Sequence, residues 1–298
     1  MTIKIRAVLL LPTKNEDWVL KSTLFVLKNY FDNILISDQN STDKTLEIIS
    51  SIKNLDIIKN NRPTHSNQVR WDLLDEARKR YGKNNLIVNI DADEFIPVKS
   101  FLKFKKKLHK FDSGVGFSSP WIQLWRSTKA YRNDKSIWNP NSNFKDFMFL
   151  DNGKLEYIKE NVINDHTSRI PTSNLNHIFK LNFPLLHLQF ANWERSQLKQ
   201  IWYMCSEIIN GVDASVINRR YRGSRDESGI KLSKVKRKWI SSYNKFIDLD
   251  LNVSHDIWYL SEIKKMFEDK GIEYFSQLDI WENKFLKEIK KDFHQRNN

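Results

Sequence analysis

The sequence predicts an α/β fold: a parallel sheet that becomes mixed, flanked by helices, followed by a mainly helical C-terminal extension. Three observations predict it. Short apolar runs alternate with stretches of helical period through about residue 95, the pattern of parallel strands joined by crossover helices. From about residue 110 the pattern changes to aromatic-rich strands broken by turn residues, so the sheet turns mixed. From Trp193 onward Leu198, Ile201, Trp202, Cys205, Ile208 and Ile209 recur at helical spacing. The length of 298 residues suits one large domain or two small ones, and we expect a boundary near residue 195, with 1–195 the α/β part and 196–298 the helical extension.

Each element follows in order. Ile5 to Leu11 is almost continuously apolar and stops at Pro-Thr-Lys-Asn-Glu, a buried strand ending in a loop. Trp18 to Tyr30 carries Leu20, Leu24 and Leu27 on one helical face. Asn33 to Ser37 is a strand, the polar run 38–43 a loop, and Leu46, Ile48 and Ile49 lie on a helix. Asp56 to Lys59, Gln68 to Tyr81 and Leu86 to Ile90 repeat strand, helix, strand. Lys103, Lys105, Lys106 and Lys107, interleaved with Phe101, Leu102 and Phe104, form the polar face of a surface helix. Val115 to Gln123 and Phe144 to Leu150 are strands, Asp151-Asn152-Gly153 a turn, and Pro184 to Phe190 one more strand.

With 40% apolar and 29% charged residues the chain is globular rather than disordered. Its net charge of +13 lies in two stretches: residues 99–110 hold six Lys and no acid, and residues 219–238 hold nine Lys or Arg against two acids. One cysteine, Cys205, cannot form an internal disulfide, which favours a reducing compartment. The apolar run before Pro12 is too short for a signal-peptide core, and no run reaches the ~18 residues of a membrane span. We therefore expect a soluble, cytoplasmic protein, with its basic stretches available to the anionic inner face of a membrane. The charge and the 37 aromatics (10 Trp, 9 Tyr, 18 Phe) also allow a basic nucleic-acid-binding protein, but no zinc spacing or RNA-binding motif is present, so no specific nucleic acid is expected.

The chemistry concentrates in VNIDADEF, residues 88–95, where a strand ends in Asp91, Asp93 and Glu94. Acids gathered there repel one another unless a cation or donors offset them, and the carboxyl edge of an open α/β sheet is where ligands bind. Alternation along an extended segment sends Asp91 and Asp93 to one side. Such hard oxygen ligands suit Mg2+ or Mn2+ shared with a substrate's phosphates. An Asp-x-Asp alone is also a common solvated turn. Two further strand ends, LLLPTKNEDWVL and NILISDQNSTDKT, are polar in the same way, and together the three junctions describe a nucleotide cleft. A metal-dependent nucleotidyl- or phosphotransferase would use the same acids.

PTKNE, then ISDQNSTDKT, then NIDADEF resembles the family 2 glycosyltransferases of GT-A fold in order and in spacing. The resemblance implies a metal-dependent, inverting, hexosyltransferase-like enzyme that moves a sugar from a nucleotide-diphosphate sugar, usually a UDP-sugar, to a glycan or lipid-linked acceptor. It implies that Pro12, Thr13, Asn15 and Glu16 surround the nucleoside and that Asp38 recognises the base. Gln39 replaces a second Asp of that motif. Arg70, seven residues before Ala77, matches an arginine that approaches the donor, although Trp71 and Leu73 replace the element's Asn and Gly; a surface arginine paired to an acid is the plainer reading. Asp91 faces the donor and joins Asp93 and His187 as metal ligands for Mn2+ or Mg2+, His187 being otherwise a core histidine of an apolar strand. The base that deprotonates the acceptor is expected at Asp165, with Asp146 and Glu160 as rivals. Arg219, Arg220, Arg222 and Arg225 are either a phosphate clamp or a solvated basic face.

Overall fold

A computed structural model of the chain describes residues 5–62, 66, 68–158, 168–225, 227–243 and 258–296. The chain opens with β1 (Ala7–Thr13), α1 (Asp17–Leu27), β2 (Asn33–Asp38), α2 (Thr45–Ser50), β3 (Asp56–Lys59), α3 (Gln68–Tyr81) and β4 (Leu86–Asn89). The two-residue strand β5 (Glu94–Phe95) and helix α4 (Val98–Lys105) come next, then β6 (Val115–Gln123), β7 (Ala130–Arg132), β8 (Phe144–Leu150), β9 (His177–Lys180) and β10 (Leu185–His187). The remainder holds α5 (Trp193–Ile209), α6 (Ala214–Arg225), β11 (Leu232–Lys234), α7 (Arg237–Ile240), α8 (Trp258–Lys270) and α9 (Lys284–Arg296). The mixed sheet, flanking helices and helical C-terminal part that the sequence predicts are present. Short strands β5, β7, β9 and β11 escape the sequence pattern, being too brief to show a period.

The chain divides into two compact units. The first comprises Met1–Gln123, Ile137–Leu188 and Lys234–Asp250. Its sheet runs β3-β2-β1-β4-β8-β6-β10-β5, with β9 also paired to β6. Strands β1 to β4 are mutually parallel, β8 is antiparallel to both β4 and β6, and β10 is parallel to β6. Strand β1 is buried along nearly its whole length, as a central strand covered on both faces must be, which explains its unbroken apolar run. Helix α3 lays Val69, Leu73, Leu74 and Ala77 on Val8, Leu10, Leu35 and Ile87, and each such side chain fully buried stabilises the fold by about 1.5–3 kcal/mol. Helix α4 turns Val98, Phe101 and Phe104 inward and leaves Lys103 exposed, as its alternating composition requires.

This topology places the polar strand ends of the three sequence motifs on one edge. The carboxyl ends of β1, β2, β4, β6 and β10 point the same way, and the antiparallel β8 and β5 bring their amino ends to meet them. Thr13, Asp38, Asp91, Gln123, His187, Lys145 and Glu94 therefore share an edge although they span most of the unit's sequence.

The second unit comprises Leu124–Ser136, Gln189–Ser233 and Leu251–Asn298. Its core is helical: Leu198, Ile201, Met204 and Cys205 of α5 pack with Ile217 and Tyr221 of α6, Tyr259, Ile263 and Phe267 of α8, and Leu286 and Ile289 of α9. Asn192 caps α5, its side-chain oxygen accepting the Arg195 N–H at 3.1 Å. Strands β7 and β11 pair as a small separate sheet. Within α6, Arg220 is committed to Glu207, which also accepts the Tyr221 hydroxyl, while Arg225 is drawn into the unit with its guanidinium held below its ordinary range by burial. No helix among the described residues is long and apolar enough to cross a membrane.

Candidate active site

The first two strand ends are laced together by side chains. The Asn15 side chain accepts the Thr42 N–H at 2.7 Å, while the Asn15 N–H donates to the Ser41 hydroxyl at 2.9 Å. Asn15 holds a φ of 53°, a left-handed turn that asparagine tolerates because its amide bonds locally. The Glu16 N–H donates to Thr45 Oγ1 at 2.8 Å, and its carboxylate accepts the Trp18 indole N–H at 2.6 Å. Asp38 is buried, accepting from the Ser41 hydroxyl at 2.6 Å and its N–H at 3.0 Å. Burial, with Asp43 opposite, raises the Asp17 carboxyl above its ordinary range. Thr13 ends β1 with its hydroxyl buried and unbonded. The expected residues Pro12, Thr13, Asn15, Glu16 and Asp38 thus border one pair of loops, which they also hold in shape.

The acidic segment after β4 is a turn and not an extended run. The Glu94 N–H donates to the Asp91 carbonyl at 3.1 Å, so alternation no longer aligns Asp91 with Asp93. The two acids have different partners. Asp91 is bracketed by arginines: Arg70 Nη2 donates to one oxygen at 2.7 Å and Arg169 Nη2 to the other at 2.5 Å. Arg70, 7% exposed, is therefore a buried arginine paired to an acid, and its second nitrogen Nη1 has no hydrogen-bond partner among the described residues. Arg169 also bonds Glu94 through Nη1, and Glu94 further accepts the Trp121 indole N–H at 2.8 Å and the Asp91 N–H at 2.9 Å. Burial alone would lower the Arg169 guanidinium, but Asp91 and Glu94 outweigh it and hold it above its ordinary range. Its carbonyl is gripped by Asn89 at 2.8 Å and by the Tyr157 hydroxyl at 2.9 Å, which ties the arginine to the end of β4.

Asp93, 2% exposed, lies against His187, 4% exposed, with Oδ1 and Nε2 3.3 Å apart. The other ring nitrogen, Nδ1, meets Gln123 Oε1 at 2.8 Å, and the Trp121 indole stacks on the imidazole at 4.9 Å between centroids. An amide oxygen at Nδ1 keeps the neutral ring's proton there and leaves the Nε2 lone pair facing the carboxylate. In that tautomer the two electron-rich atoms can share a cation, since donors to one Mg2+ or Mn2+ with bonds of about 2.1 Å stand roughly 3 Å apart. Asp93 and His187 fit a divalent metal on this ground. Among the described residues no three His, Cys, Asp or Glu side chains converge as a ready metal cage, so Asp91 stands with the arginines and not in a three-ligand group.

Lys145, at the start of β8, completes the edge. It pairs in register with Ser119, and Ser119, Trp121 and Gln123 alternate onto one face of β6, the face that also carries His187. Its ammonium sits 4.9 Å from the Trp121 ring centroid. Burial, and then the charge of Arg169, press it down to about 8. The neighbouring Asp146 faces the other side of the sheet, with its carboxyl raised by burial, which removes it from this face as a rival base. Asp165 and Glu160 lie outside the described residues. Arg169, Trp121, Gln123 and Lys145 carry no motif in the sequence; each reaches the site only through strand pairing or the return of a distant loop.

The comparisons agree with this layout on the family. No curated protein matches the sequence. The chain is similar to the solved 4-diphosphocytidyl-2C-methyl-D-erythritol synthase, with 11% identity and a TM-score of 0.41, covering 60% of this chain and 89% of that one. It is similar also to glucosyl-3-phosphoglycerate synthase from Mycobacterium tuberculosis in complex with Mn2+, UDP and glucosyl-3-phosphoglycerate, at 17% identity and a TM-score of 0.31 over 40% of this chain and 44% of that one. The same enzyme with Mg2+ and UDP matches at 15% identity and a TM-score of 0.31, with 40% and 44% covered. The chain spans less than half the length of these synthase chains. Residues 8–163, just over half of the chain and holding all three strand-end motifs, match the family described as glycosyl transferase family 2. The chain belongs to that family and is a glycosyltransferase.

Proposed function

We propose that this glycosyltransferase moves a sugar from a nucleotide-diphosphate sugar, with a UDP-sugar the first donor to test, to a hydroxyl of a glycan or lipid-linked acceptor, with inversion. The observation that carries the reading is the strand edge on which the Asp38 loop, the Arg70–Asp91 pair and the Asp93–His187 pair come together. Asp38 and the loop 13–16 hold the nucleoside end. Asp93 and His187 hold Mn2+ or Mg2+, which when bound neutralises charge gathering on the departing diphosphate. Gln123 and Trp121 keep the imidazole turned so that Nε2 faces Asp93. The acceptor hydroxyl attacks opposite the leaving group and gives its proton to a carboxylate, which we assign to Asp165. The exposed lysines of α4, Lys99 and Lys103 among them, are offered to an anionic membrane surface.

Calorimetric titration of UDP with and without Mn2+ tests the reading. The wild-type protein is expected to bind UDP more tightly with the metal, and Asp93→Asn to lose that increment while keeping its melting temperature. A variant that retains the full metal increment overturns the assignment. Released nucleoside diphosphate, and not pyrophosphate, is the expected product of turnover.

A further inference from the structure

Lys145 has no place in the reaction as described, and its surroundings are unusual for a lysine. The site gathers three cations, Arg70, Arg169 and Lys145, around one turn of acids. The two arginines are committed: Arg169 to Asp91 and Glu94, and Arg70 through Nη2 to Asp91. Lys145 is the exception. Among the described residues it makes no ion pair, and its ammonium rests beside the Trp121 ring, with the Arg169 guanidinium 5.7 Å from the same ring.

Register locates it further. Residues of β6 and β8 pair so that Lys145 lies beside Ser119, and the charges of Glu94 and Asp91 act on its ammonium. The Ser119 hydroxyl is buried and, among the described residues, has no hydrogen-bond partner. A second donor, Nη1 of the Arg70 that pairs with Asp91, is buried and, among the described residues, unbonded. Retaining a half-buried ammonium next to a guanidinium costs stability, and leaving a buried guanidinium nitrogen unbonded adds to that cost. A bound oxyanion at Lys145 removes the first of these penalties.

We propose that Lys145 is an anion-binding residue of this site, its ammonium taking a phosphoryl oxygen of a bound substrate. The ligand class is a phosphate ester or a diphosphate, supplied either by the leaving diphosphate of the donor or by a phosphate group on the acceptor. The naming of those two sources rests on the proposed function; the oxyanion chemistry does not.

Calorimetry on the whole chain and on Lys145→Met decides it, with three probes: inorganic pyrophosphate without metal, UDP with Mn2+, and inorganic phosphate added to protein already saturated with UDP and Mn2+. A tenfold or greater loss of pyrophosphate and UDP affinity in the variant supports the donor's diphosphate as the source. Unchanged UDP affinity with loss of the phosphate binding that wild type shows in the third arm supports an acceptor phosphate. A folded variant that binds every probe as wild type does overturns the proposal. Wild-type protein that binds pyrophosphate but not UDP overturns the nucleotide reading alone, and Lys145 is then judged on pyrophosphate. Wild-type protein that binds none of the three overturns both.

Discussion

Arg169 holds two carboxylates on one guanidinium, and the consequences of losing it differ from those of losing Arg70. Arg169→Met leaves Glu94 buried with only neutral donors and Asp91 with a single arginine, and breaking a buried pair in this way costs about 3–5 kcal/mol. Arg70→Met leaves Asp91 still bonded to Arg169, so a smaller loss is expected. Urea denaturation of both variants checks the order, and equal losses would contradict the division of labour. Lys145 gives a prediction in pH. Its folded value of about 8 lies below the ~10.4 of an unfolded lysine, so between those values the unfolded chain binds more protons and stability rises with pH. Burial first, then Arg169 and Arg70, press it down while Glu94 and Asp91 hold it up. Lys145→Met is therefore expected to be more stable than wild type below pH 8, with the difference shrinking as pH approaches 10.4. Parallel stability curves for the two proteins would rule this out. At this scale Asp38, Asp93 and His187 were readable because their residue types stand out in apolar surroundings. Arg169 and Gln123 were not, since nothing local separates them from solvated residues.

Among the elements, the longer strands and helices are legible because each is bounded by a change of period. Val115 to Gln123 and Phe144 to Leu150 coincide with β6 and β8, and Gln68 to Tyr81 with α3. Strand β5 is invisible for the opposite reason: its two residues pair with β10, Glu94 opposite His187 and Phe95 opposite Leu186, and only that pairing defines it. Phe95 then stacks on Tyr243 at 4.4 Å, and the Tyr243 hydroxyl donates to the Ile96 carbonyl at 2.9 Å, so the segment after the acid turn is anchored by packing. The turn reads as extended in the sequence because a hydrophobic strand runs straight into it, and only the Glu94 N–H bond to the Asp91 carbonyl reveals it. A simpler expectation concerns α5. Its cap is a single side-chain bond from Asn192, and Asn192→Ala should cost about 1 kcal/mol in chemical denaturation, whereas a loss under 0.3 kcal/mol would show the bond to be redundant.

For the molecule as a whole, the order of strands along the sheet is the feature the sequence does not disclose. Alternating strands and helices announce a parallel half, but the insertion of β8 between β4 and β6 depends on long-range pairing. The helical unit offers a built-in reporter of its own opening. Cys205 is fully buried in that unit's core, and burial raises its thiol well above the ordinary range. A disulfide reagent should leave it untouched in the native protein and modify it only as that core unfolds in urea. Rapid labelling without denaturant would show that the helices part readily.

The bracketing of Asp91 and Glu94 by arginines also bears on the order in which ligands arrive. Acids already neutralised from within exert little pull on a free cation, which is left with one carboxylate, Asp93, and one imidazole, His187. On the proposed function, a nucleotide diphosphate brings its own negative charge up to the same carboxylate. On that reading each ligand supplies what the other lacks, so metal and nucleotide are expected to bind synergistically, each tightening the other by the same factor by reciprocity. The expected consequence, where free divalent cations are scarce, is an occupancy set by the metal–nucleotide complex and not by either species alone.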